Sequence, residues 1–482
     1  MNIFKFTDSN KRYNTLTYFY KNKFNSKVFK VSLNAGFTCP NKDGSKGYGG
    51  CIYCSKSGSG DYAGNVNDSL INQFYEVKNT IHKKWPKSKY IGYFQANTNT
   101  YAPVEELKEK YELILNLENV VGLSIGTRPD AISDDVLNYL ENLNKRTFLT
   151  IELGLQTIHE STSKLINRGH DLKCFDDMVY ELKKRNIHTV VHIINGLPYE
   201  TKEMMIETVK HLNKLPIDGI KIHMLHILKD TTLAKMYIKK PFPVLSKEEY
   251  TEIVCDQLEN LRPEIVIHRI TGDPNADDLI EPTWITKKFG VMNEIDKELA
   301  RRNTYQGFNL SILNKAKQLI MNNTKDNDLV IDATIGNGND TLFLSSIVSK
   351  GHVFGFDIQE VAINKTNDLL KDKTNYTLFK ESHENMDIIL NDYINKISTI
   401  IFNLGYLPNG NKDIKTNYKS TIKAIHAAYK LLNNKGLIIV VVYPGHKEGL
   451  EESLKLKELD YNMNYYYNTD NPEAPYLISI KK

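Results

Sequence analysis

The chain has 482 residues and a formal charge of +4, from 62 basic and 58 acidic side chains. At ~100–200 residues per domain, this length predicts two to three domains. A hydrophobic share of 41% excludes a disordered protein, and the near balance of charge excludes a histone-like polycation but allows a local basic surface. Five cysteines, three of them within sixteen residues, exclude a disulfide-stapled secreted protein.

The amino-terminal residues 1–20 contain no apolar core suited to a signal peptide. The longest strongly apolar run, 437–442, is far shorter than the ~20 residues that cross a bilayer. We therefore expect a soluble cytoplasmic protein, in which thiols stay reduced and clustered cysteines indicate a metal rather than a disulfide.

The first half of the chain alternates short β-branched runs with longer amphipathic ones. We predict strands at 28–33, 90–95, 120–126, 148–154, 189–195 and 219–225, with helices at 68–85, 104–117, 134–143, 174–184 and 202–215. Six consecutive β–α units imply a parallel sheet with right-handed crossovers. Six units rather than eight predict an α/β fold of the partial (β/α)6 TIM-like barrel type over 1–228.

Residues 229–306 are less regular, with predicted helices at 247–261 and 291–302 and a strand at 265–270. We assign them to a junction segment that extends the first domain. A second β–α series occupies 307–482, with strands at 329–333, 353–357, 376–379, 399–404, 437–442, 461–467 and 476–480. This pattern predicts a Rossmann-like seven-stranded sheet.

A cysteine loop follows the first predicted strand, at the end where barrel enzymes build their active sites. It holds Cys39, Cys51 and Cys54, with a glycine-rich stretch between the first two. Thiolates bind soft metals, and three of them with one open position suit a [4Fe–4S] cluster. Structural zinc, the alternative, requires four protein ligands. We interpret Cys174 and Cys255 as buried small hydrophobic residues.

With polar residues at the other strand ends, the first ~305 residues resemble a radical S-adenosylmethionine enzyme. The bacterial branch concerned has a long gap between the first two cluster cysteines, here eleven residues where the family norm is three. The resemblance implies that Cys39, Cys51 and Cys54 hold three irons of a [4Fe–4S] cluster whose fourth iron chelates S-adenosylmethionine. It also implies an external one-electron donor such as flavodoxin or ferredoxin.

Three more residues follow by analogy with this superfamily. Asn97 lies where a Gly-Gly-Glu motif usually faces the amino group of the cofactor. Gln156 and Arg168 resemble residues that hold its ribose and carboxylate in enzymes like coproporphyrinogen oxidase. For Arg168 a surface salt bridge is the alternative.

A glycine loop in the second half runs from a strand through a tight turn into a helix. The loop residues are Asp332, Gly336, Asn337, Gly338, Asn339 and Asp340. Asp357, at the end of the next strand, is placed to accept both ribose hydroxyls of an adenosine cofactor. A dinucleotide site needs a third small residue, whereas these polar side chains suit the amino-acid part of S-adenosylmethionine.

Residues 308–482 resemble a family of small class I methyltransferases that methylate the aminomethyl group on the tRNA wobble uridine. The resemblance implies that Gln359, Ser382 and His383 line the cofactor together with Asp357 and the loop. Asn403 and Tyr406 are similar to the Asn-Pro-Pro-Tyr turn that orients an amine, although Gly405 replaces a proline. His446 is a candidate proton acceptor, with a structural turn histidine as the alternative.

The two resemblances together suggest consecutive steps on one substrate. The radical half would convert 5-carboxymethylaminomethyl-(2-thio)uridine to the 5-aminomethyl form, and the methyltransferase half would methylate that amine. The partner would be the anticodon stem–loop of tRNA, with a basic surface such as Lys83-Lys84 or Arg301-Arg302. The alternatives are a radical enzyme for a small metabolite or peptide fused to a methyltransferase for another RNA or a protein, and a binding module with one decayed half.

Overall fold

Two mainly parallel β-sheets, one in each of two units, organise the chain in the computed structural model. The units are Met1–Gly307 and Phe308–Lys482. The structure describes residues 4–55, 58, 63–405, 417–468 and 471–482. No helix among these residues is long and apolar enough to cross a membrane.

Unit 1 contains a seven-stranded sheet in which every neighbouring pair is parallel. In chain order its strands are β1 (Val28–Leu33), β2 (Lys89–Phe94), β3 (Val120–Thr127), β4 (Phe148–Gln156), β5 (His188–Asn195), β6 (Gly219–Met224) and β8 (Val266–Arg269), and this is also their order in the sheet. The predicted partial barrel is confirmed. The strand that the sequence assigns to the irregular junction segment, β8, extends the same sheet beside β6. The short strands β7 (Ile227–Leu228) and β9 (Leu279–Glu281) pair separately.

Helices connect the strands of unit 1 and cover one face of the sheet. They are α1 (Leu16–Phe24), α2 (Leu70–Lys84), α3 (Val104–Leu115), α4 (Asp134–Asn144), α5 (Glu160–Leu165), α6 (Leu172–Lys184), α7 (Lys202–Leu212), α8 (Thr232–Lys239), α9 (Lys247–Glu259) and α10 (Lys288–Arg301). Side chains alternate across a strand, so residues such as Val31, Leu123 and Val191 join the core under the helices. Lys30, Ser124 and His192 therefore lie on the opposite face.

The two ends of unit 1 are joined by the buried side chain of Gln306. Its oxygen accepts a hydrogen bond from the Asn14 backbone N–H at 2.9 Å. Its amide nitrogen donates to the carbonyls of Arg262 and Ile265, both at 2.8 Å. One side chain thus links the first and last segments of the unit through three hydrogen bonds.

Unit 2 is built on a second seven-stranded sheet. Its strands are β10 (Leu329–Asp332), β11 (His352–Phe356), β12 (Tyr376–Phe379), β13 (Ile397–Asn403), β14 (Leu432–Val442), β15 (Met463–Tyr466) and β16 (Tyr476–Lys481). The order in the sheet is β12-β11-β10-β13-β14-β16-β15, with β16 antiparallel to both of its neighbours. The strand order reverses between β10 and β13, and ligands bind at such a switch point.

The α-helices described in unit 2 pack on this sheet. They are α11 (Ile312–Asn323), α12 (Asn339–Ile347), α13 (Glu360–Leu369), α14 (Met386–Ile389), α15 (Tyr418–Leu431) and α16 (Lys447–Leu456). Strand β14 is apolar on both faces from Leu437 to Val442, because helices cover both sides of it. The Rossmann-like α/β class and the seven predicted strands are confirmed.

Candidate active sites

The cysteine loop begins just after β1, at the carboxyl end of the unit 1 sheet. Its backbone is folded on itself: Lys42 N–H donates to the Cys39 carbonyl at 2.8 Å, and Cys54 N–H to the Cys51 carbonyl at 3.0 Å. The amide of Asn41 points at the Cys51 sulfur, 3.8 Å away, and donates to the Asn167 carbonyl at 2.6 Å. The loop is thereby held in place by the turn that follows α5.

The surroundings of Cys51 favour its thiolate, whereas its hydrogen bond to Cys51 and burial raise the pKa of Cys54. The pKa of the Cys51 thiol is lowered to about 6, because it accepts a hydrogen bond from the Cys54 thiol and lies near the Arg128 guanidinium. Arg128 is fixed by two hydrogen bonds to Asp130, at 2.9 and 3.0 Å, and by one to the Arg168 carbonyl at 2.8 Å. A positive group is thus held beside the sulfur atoms.

These residues fit an iron–sulfur cluster on the chemistry of their donor set. The three sulfur atoms lie close enough for their charges to act on one another, beside an amide N–H and a guanidinium, which are groups that tune such clusters. Within the described ranges, no three His, Cys, Asp or Glu side chains are arranged as a preformed metal-ion site, so a ready-made zinc site is not found there. Cys255 is buried as predicted, but Cys174 is only partly buried on α6, so that prediction is wrong for Cys174.

Asn97 and Gln156 lie at the same carboxyl edge as the cysteine loop, after β2 and at the end of β4. Both have left-handed backbones, with φ of 60° and 63°. Gln156 follows an irregularity in the pairing of β4 with β5, which turns its side chain out of the regular alternation. Asn97 accepts a hydrogen bond from the Lys42 ammonium at 3.2 Å, so it is joined to the cysteine loop.

Arg168 is buried, although it also forms a long ion pair with the half-exposed Glu160. Its side chain is 1% exposed and donates to the carbonyls of Leu155, Thr157 and His170 at 2.8, 2.6 and 2.9 Å. Its Nη2 lies 3.6 Å from Glu160 and has no hydrogen-bond partner among the described residues. Arg168 therefore fixes the turn behind the cysteine loop and retains a free donor.

The sequence analysis missed a cluster of charged residues on the inner face of the unit 1 sheet. Glu152 is fully buried in β4 and contacts Lys30, His192 and Lys221. The available signal was one or two charged or imidazole side chains inside each of the otherwise apolar strands β1, β4, β5 and β6.

Unit 2 contains a cavity of about 1510 Å³ at its switch point. Ten of the predicted site residues line it: Gly336, Asn337, Asn339, Asp340, Asp357, Gln359, Ser382, His383, Asn403 and His446. Tyr406 lies outside the described residues. The cavity is large enough for a nucleoside cofactor and part of a substrate.

Asp357 and the glycine loop are joined directly. The two carboxylate oxygens accept the N–H groups of Gly336 and Gln359, both at 2.9 Å. Gly336 and Gly338 have φ of 55° and 78°, and a β-carbon at Gly338 would lie 2.5 Å from the Thr366 hydroxyl. Each Asp357 oxygen keeps a second lone pair, as ribose binding requires.

Asp332 and Gly338 are not among the residues that line the cavity. Asp332 is fully buried behind the loop and accepts hydrogen bonds from Thr334 N–H at 3.1 Å and the Thr341 hydroxyl at 2.6 Å. Burial, with the nearby charge of Asp340, raises the pKa of Asp332 to about 7. This position suits a residue that shapes the loop.

Asn403 lies between two other side chains of the cavity wall. Its Nδ2 donates to Asp340 at 3.1 Å, its Oδ1 accepts from the Tyr443 hydroxyl at 3.1 Å, and its backbone N–H donates to Thr334. Tyr443 lines the cavity and was not predicted. The amide orientation of Asn403 is thus set from both ends.

Hydrogen bonds determine which ring nitrogen carries the hydrogen in the two cavity histidines, His446 and His383. His446 Nδ1 accepts the Gly449 N–H at 2.8 Å and caps α16, so the neutral ring carries its hydrogen on Nε2. That tautomer has no free lone pair, which favours the structural alternative for His446. His383 Nδ1 lies 3.0 Å from the Ala333 carbonyl, and burial lowers its pKa, so it is a neutral donor there.

The basic surfaces differ in how free their charges are. Arg302 is held by Glu298, Asp256 and Glu259, and its neighbour Arg301 is bound to Glu298. Lys83 and Lys84 are exposed at the end of α2 beside Trp85, with no ion pair among the described residues. Of the two groups, the lysines retain available positive charge.

Family models match both units. The radical SAM superfamily model matches residues 39–212, the radical SAM C-terminal domain matches 217–301, and the putative rRNA methylase model matches 353–469. The first two cover the cysteine loop and the unit 1 sheet except β1, and the third covers most of the second sheet.

Three similar proteins represent the two units. The uncharacterized protein YtqA of Bacillus subtilis (strain 168) is 52% identical over 306 residues, which are 64% of this chain and 95% of that protein. The chloroplastic tRNA (mnm(5)s(2)U34)-methyltransferase of Arabidopsis thaliana is 43% identical over 137 residues, 26% of this chain and 50% of that one. The crystal structure of an rRNA methylase from Streptococcus thermophilus is 28% identical, covers 36% of this chain and 96% of its own, and has a TM-score of 0.30.

Enzymes of the first family use S-adenosylmethionine with an iron–sulfur cluster, and those of the second use S-adenosylmethionine for methyl transfer. The chain therefore belongs to the radical SAM superfamily and carries, in its second unit, a methyltransferase domain of the rRNA methylase family.

Proposed function

We propose that the chain is a bifunctional enzyme that modifies the wobble uridine of tRNA in two consecutive steps. Unit 1 removes the carboxymethyl group from 5-carboxymethylaminomethyl-(2-thio)uridine, and unit 2 methylates the exposed amine to give 5-methylaminomethyl-(2-thio)uridine. The observation that carries the proposal is the similarity of unit 2 to a tRNA (mnm(5)s(2)U34)-methyltransferase, in a chain whose other unit is a radical enzyme.

The chemistry of the two units is complementary. A methyltransferase that makes methylaminomethyl uridine needs a primary amine, and a carboxymethyl group on that nitrogen must first be removed. The C–N bond concerned is not activated for hydrolysis, whereas abstraction of hydrogen from the carbon beside nitrogen activates it. A [4Fe–4S] cluster held by Cys39, Cys51 and Cys54 would supply the electron that splits S-adenosylmethionine into methionine and a hydrogen-abstracting radical.

The first reaction balances without another oxidant. The carbon beside the nitrogen loses one hydrogen atom, and the resulting radical then loses one electron and the proton on nitrogen, so that carbon and nitrogen become doubly bonded. Water adds to that carbon, the C–N bond breaks, and the products are the primary amine and a two-carbon oxo acid. S-adenosylmethionine would take up that hydrogen atom and one electron as it becomes methionine and 5′-deoxyadenosine, and the electron released by the substrate radical would replace the one supplied.

In unit 2 the residues around the cavity have separable tasks in methyl transfer. The loop and Asp357 are placed to hold the cofactor at the switch point, with one carboxylate lone pair free on each oxygen. Asn403, fixed between Asp340 and Tyr443, is placed to orient the amine toward the methyl group. The amine attacks the methyl carbon, S-adenosylhomocysteine leaves, and the proton passes to solvent.

Mass spectrometry of tRNA nucleosides from a strain that lacks the gene tests this proposal. Complementation with the Cys39→Ala variant should leave the carboxymethylaminomethyl nucleoside, and complementation with Asp357→Ala should leave the aminomethyl nucleoside. Cys174→Ala is the matched control and should restore the final product. If Cys39→Ala also restores it, unit 1 acts on something else, such as a small metabolite or a peptide.

A further inference from the structure

A layer of polar side chains crosses the inner face of the unit 1 sheet, opposite the helices. Every strand of the sheet contributes one member: Lys30, Tyr93, Ser124, Glu152, His192, Lys221 and Arg269. The register places Tyr93 beside Ser124, and His192 beside Lys221, which in turn lies beside Arg269. We call this set the polar layer.

Glu152, at the centre of the polar layer, has no remaining acceptor capacity. Its Oε1 accepts from Lys30 at 2.5 Å and Ser124 at 2.7 Å, and its Oε2 accepts from Lys221 at 2.5 Å and His192 at 2.7 Å. A carboxylate has about four acceptor positions, so all are filled. The Glu152 side chain is fully buried and that of Lys221 is 9% exposed.

The charges of the polar layer do not balance. Lys30 and Arg269 are cationic and Lys221 adds a positive charge when it is protonated, whereas Glu152 supplies a single negative charge. Arg269 is exposed and forms no ion pair among the described residues, and its charge acts on Lys221. Burial, Lys30 and Arg269 lower the pKa of Lys221 to about 7 even though Glu152 raises it. Partly buried positive charge in excess favours a bound anion.

Unused donors face the same region. The Lys221 ammonium donates one hydrogen to Glu152 and one to the Tyr93 hydroxyl at 3.1 Å, which leaves a third. The ring of His223 lies 5.4 Å from that of His192, and its Nε2, which has no hydrogen-bond partner among the described residues, is a donor in the tautomer that carries the ring hydrogen there. A planar anion with two oxygens could accept from these donors and from Arg269.

The polar layer also lies below the cysteine loop in the sheet. Lys30, His192 and Lys221 each precede the last residue of their strand by three positions. At ~3.3 Å per residue the polar layer is about 10 Å from the carboxyl edge, a distance that lysine and arginine side chains partly span. A substrate group bound in the polar layer would therefore reach inward from the carboxyl edge of the sheet, where the reacting atom would lie.

We propose that the polar layer is a carboxylate-binding subsite, and that its ligand is the carboxymethyl group of the substrate. The identity of this ligand rests on the proposed function, whereas the anion site itself does not. Lys221, Arg269 and His223 contact the carboxylate, and Glu152 holds Lys221 in place. Neutral analogues of the substrate therefore bind poorly.

A binding experiment tests the site independently of tRNA. The melting temperature of the full-length protein is measured in sodium acetate, sodium phosphate and sodium chloride of equal ionic strength. Acetate should raise the melting temperature of unit 1 in the wild type but not in Lys221→Met or Arg269→Met. The control is Lys173→Met, which removes an exposed lysine on α6 and should behave like the wild type. Arg269 is exposed, so its variant should fold even if Lys221→Met does not. An equal shift in all four proteins overturns the site, and a larger shift with phosphate than with acetate overturns its assignment to carboxylate.

A second experiment tests the ligand. Anticodon stem–loop RNAs carry carboxymethylaminomethyl uridine or its methyl ester at the wobble position. For the wild type, kcat/KM should be about tenfold to a hundredfold higher on the acid than on the methyl ester. This is the range expected for one charge-assisted hydrogen bond. Arg269→Met should lose most of that preference, and Lys173→Met should keep it. Equal rates on both RNAs overturn the ligand assignment. If the protein binds acetate as expected but converts neither RNA, the anion site is supported and the proposed function is overturned.

Discussion

The hydroxyl of Tyr443 donates a hydrogen bond of 3.1 Å to the side-chain oxygen of Asn403, across the wall of the unit 2 cavity. Asp340 accepts from the other end of the same amide. Three side chains from β13, α12 and the segment after β14 thus fix one amide plane. An amide oxygen that accepts from a tyrosine keeps one lone pair for an amine, and its direction is set in advance.

Tyr443→Phe should therefore slow methyl transfer without weakening cofactor binding. Losing one neutral hydrogen bond predicts a fall in kcat of about threefold to tenfold. The measurement is steady-state methylation of aminomethyl tRNA, together with the Kd for S-adenosylmethionine by calorimetry. Asp357→Ala is the comparison, because it should raise that Kd instead. A Tyr443→Phe enzyme with a changed Kd and an unchanged kcat would show that Tyr443 contacts the cofactor.

Gly338 should tolerate no larger residue. Its φ of 78° and the Thr366 hydroxyl, which would lie 2.5 Å from an added β-carbon, act together against alanine. Backbone strain alone predicts a loss of about 1–3 kcal/mol in the unfolding free energy of unit 2. Chemical denaturation of Gly338→Ala measures this loss, and adding Thr366→Ala should recover part of it. No recovery would assign the whole cost to the backbone.

Asp332 should make the stability of unit 2 depend on pH. Burial raises its folded pKa to about 7 from an ordinary value of 3.8, so the unfolded chain loses this proton first as pH rises. Protonated Asp332 therefore stabilises the native state at low pH, and this contribution to the unfolding free energy is lost between about pH 4 and pH 7. Relative to Asp332→Asn, the wild type should lose about 2–3 kcal/mol of unfolding free energy between pH 5 and pH 8.

Denaturant titrations of both proteins at several pH values check this prediction. A constant difference between them would mean that Asp332 titrates alike in the folded and unfolded chains. The hydrogen bond from the Thr341 hydroxyl should survive in the Asn variant, because a hydroxyl can rotate to accept as well as donate.

Lys83 and Lys84 should contribute to tRNA affinity. Both are exposed next to Trp85, whose ring also carries the Lys27 ammonium at 3.2 Å. Replacing both with alanine should weaken binding and lower the slope of log affinity against log salt by about 1–2. The matched control is Lys183→Ala with Lys184→Ala, a pair on α6 already engaged by Asp218 and Glu181. Equal slopes for all three proteins would place the tRNA on another surface.

Local patterns in the sequence predicted much of the fold. Strands such as β1 and β12 coincide with their predicted limits, because alternating apolar residues and flanking turns are local signals. The cysteine loop and the loop from Gly336 to Asp340 are recognisable for the same reason: each motif lies within sixteen consecutive residues.

Contacts between distant residues could not be predicted in this way. Lys30 and Lys221 meet at Glu152 only because β1 and β6 share one sheet, and a single polar residue in an apolar strand does not identify its partners. The capping role of His446 depends on a ring orientation that no spacing reveals. The junction strand β8 is visible in the sequence, but its pairing with β6 joins residues more than forty positions apart and has no local signal.

The hydrogen bonds of Gln306 determine where the chain can be divided between its two units. Because its side chain links Asn14 to Arg262 and Ile265, the first unit is complete only when the chain continues through this residue. A stop codon after Gly307 should give a stable, separately expressed polypeptide, whereas one placed before Gln306 should leave three buried backbone groups without partners. The first unit can therefore be separated from the second after Gly307 without breaking these three hydrogen bonds.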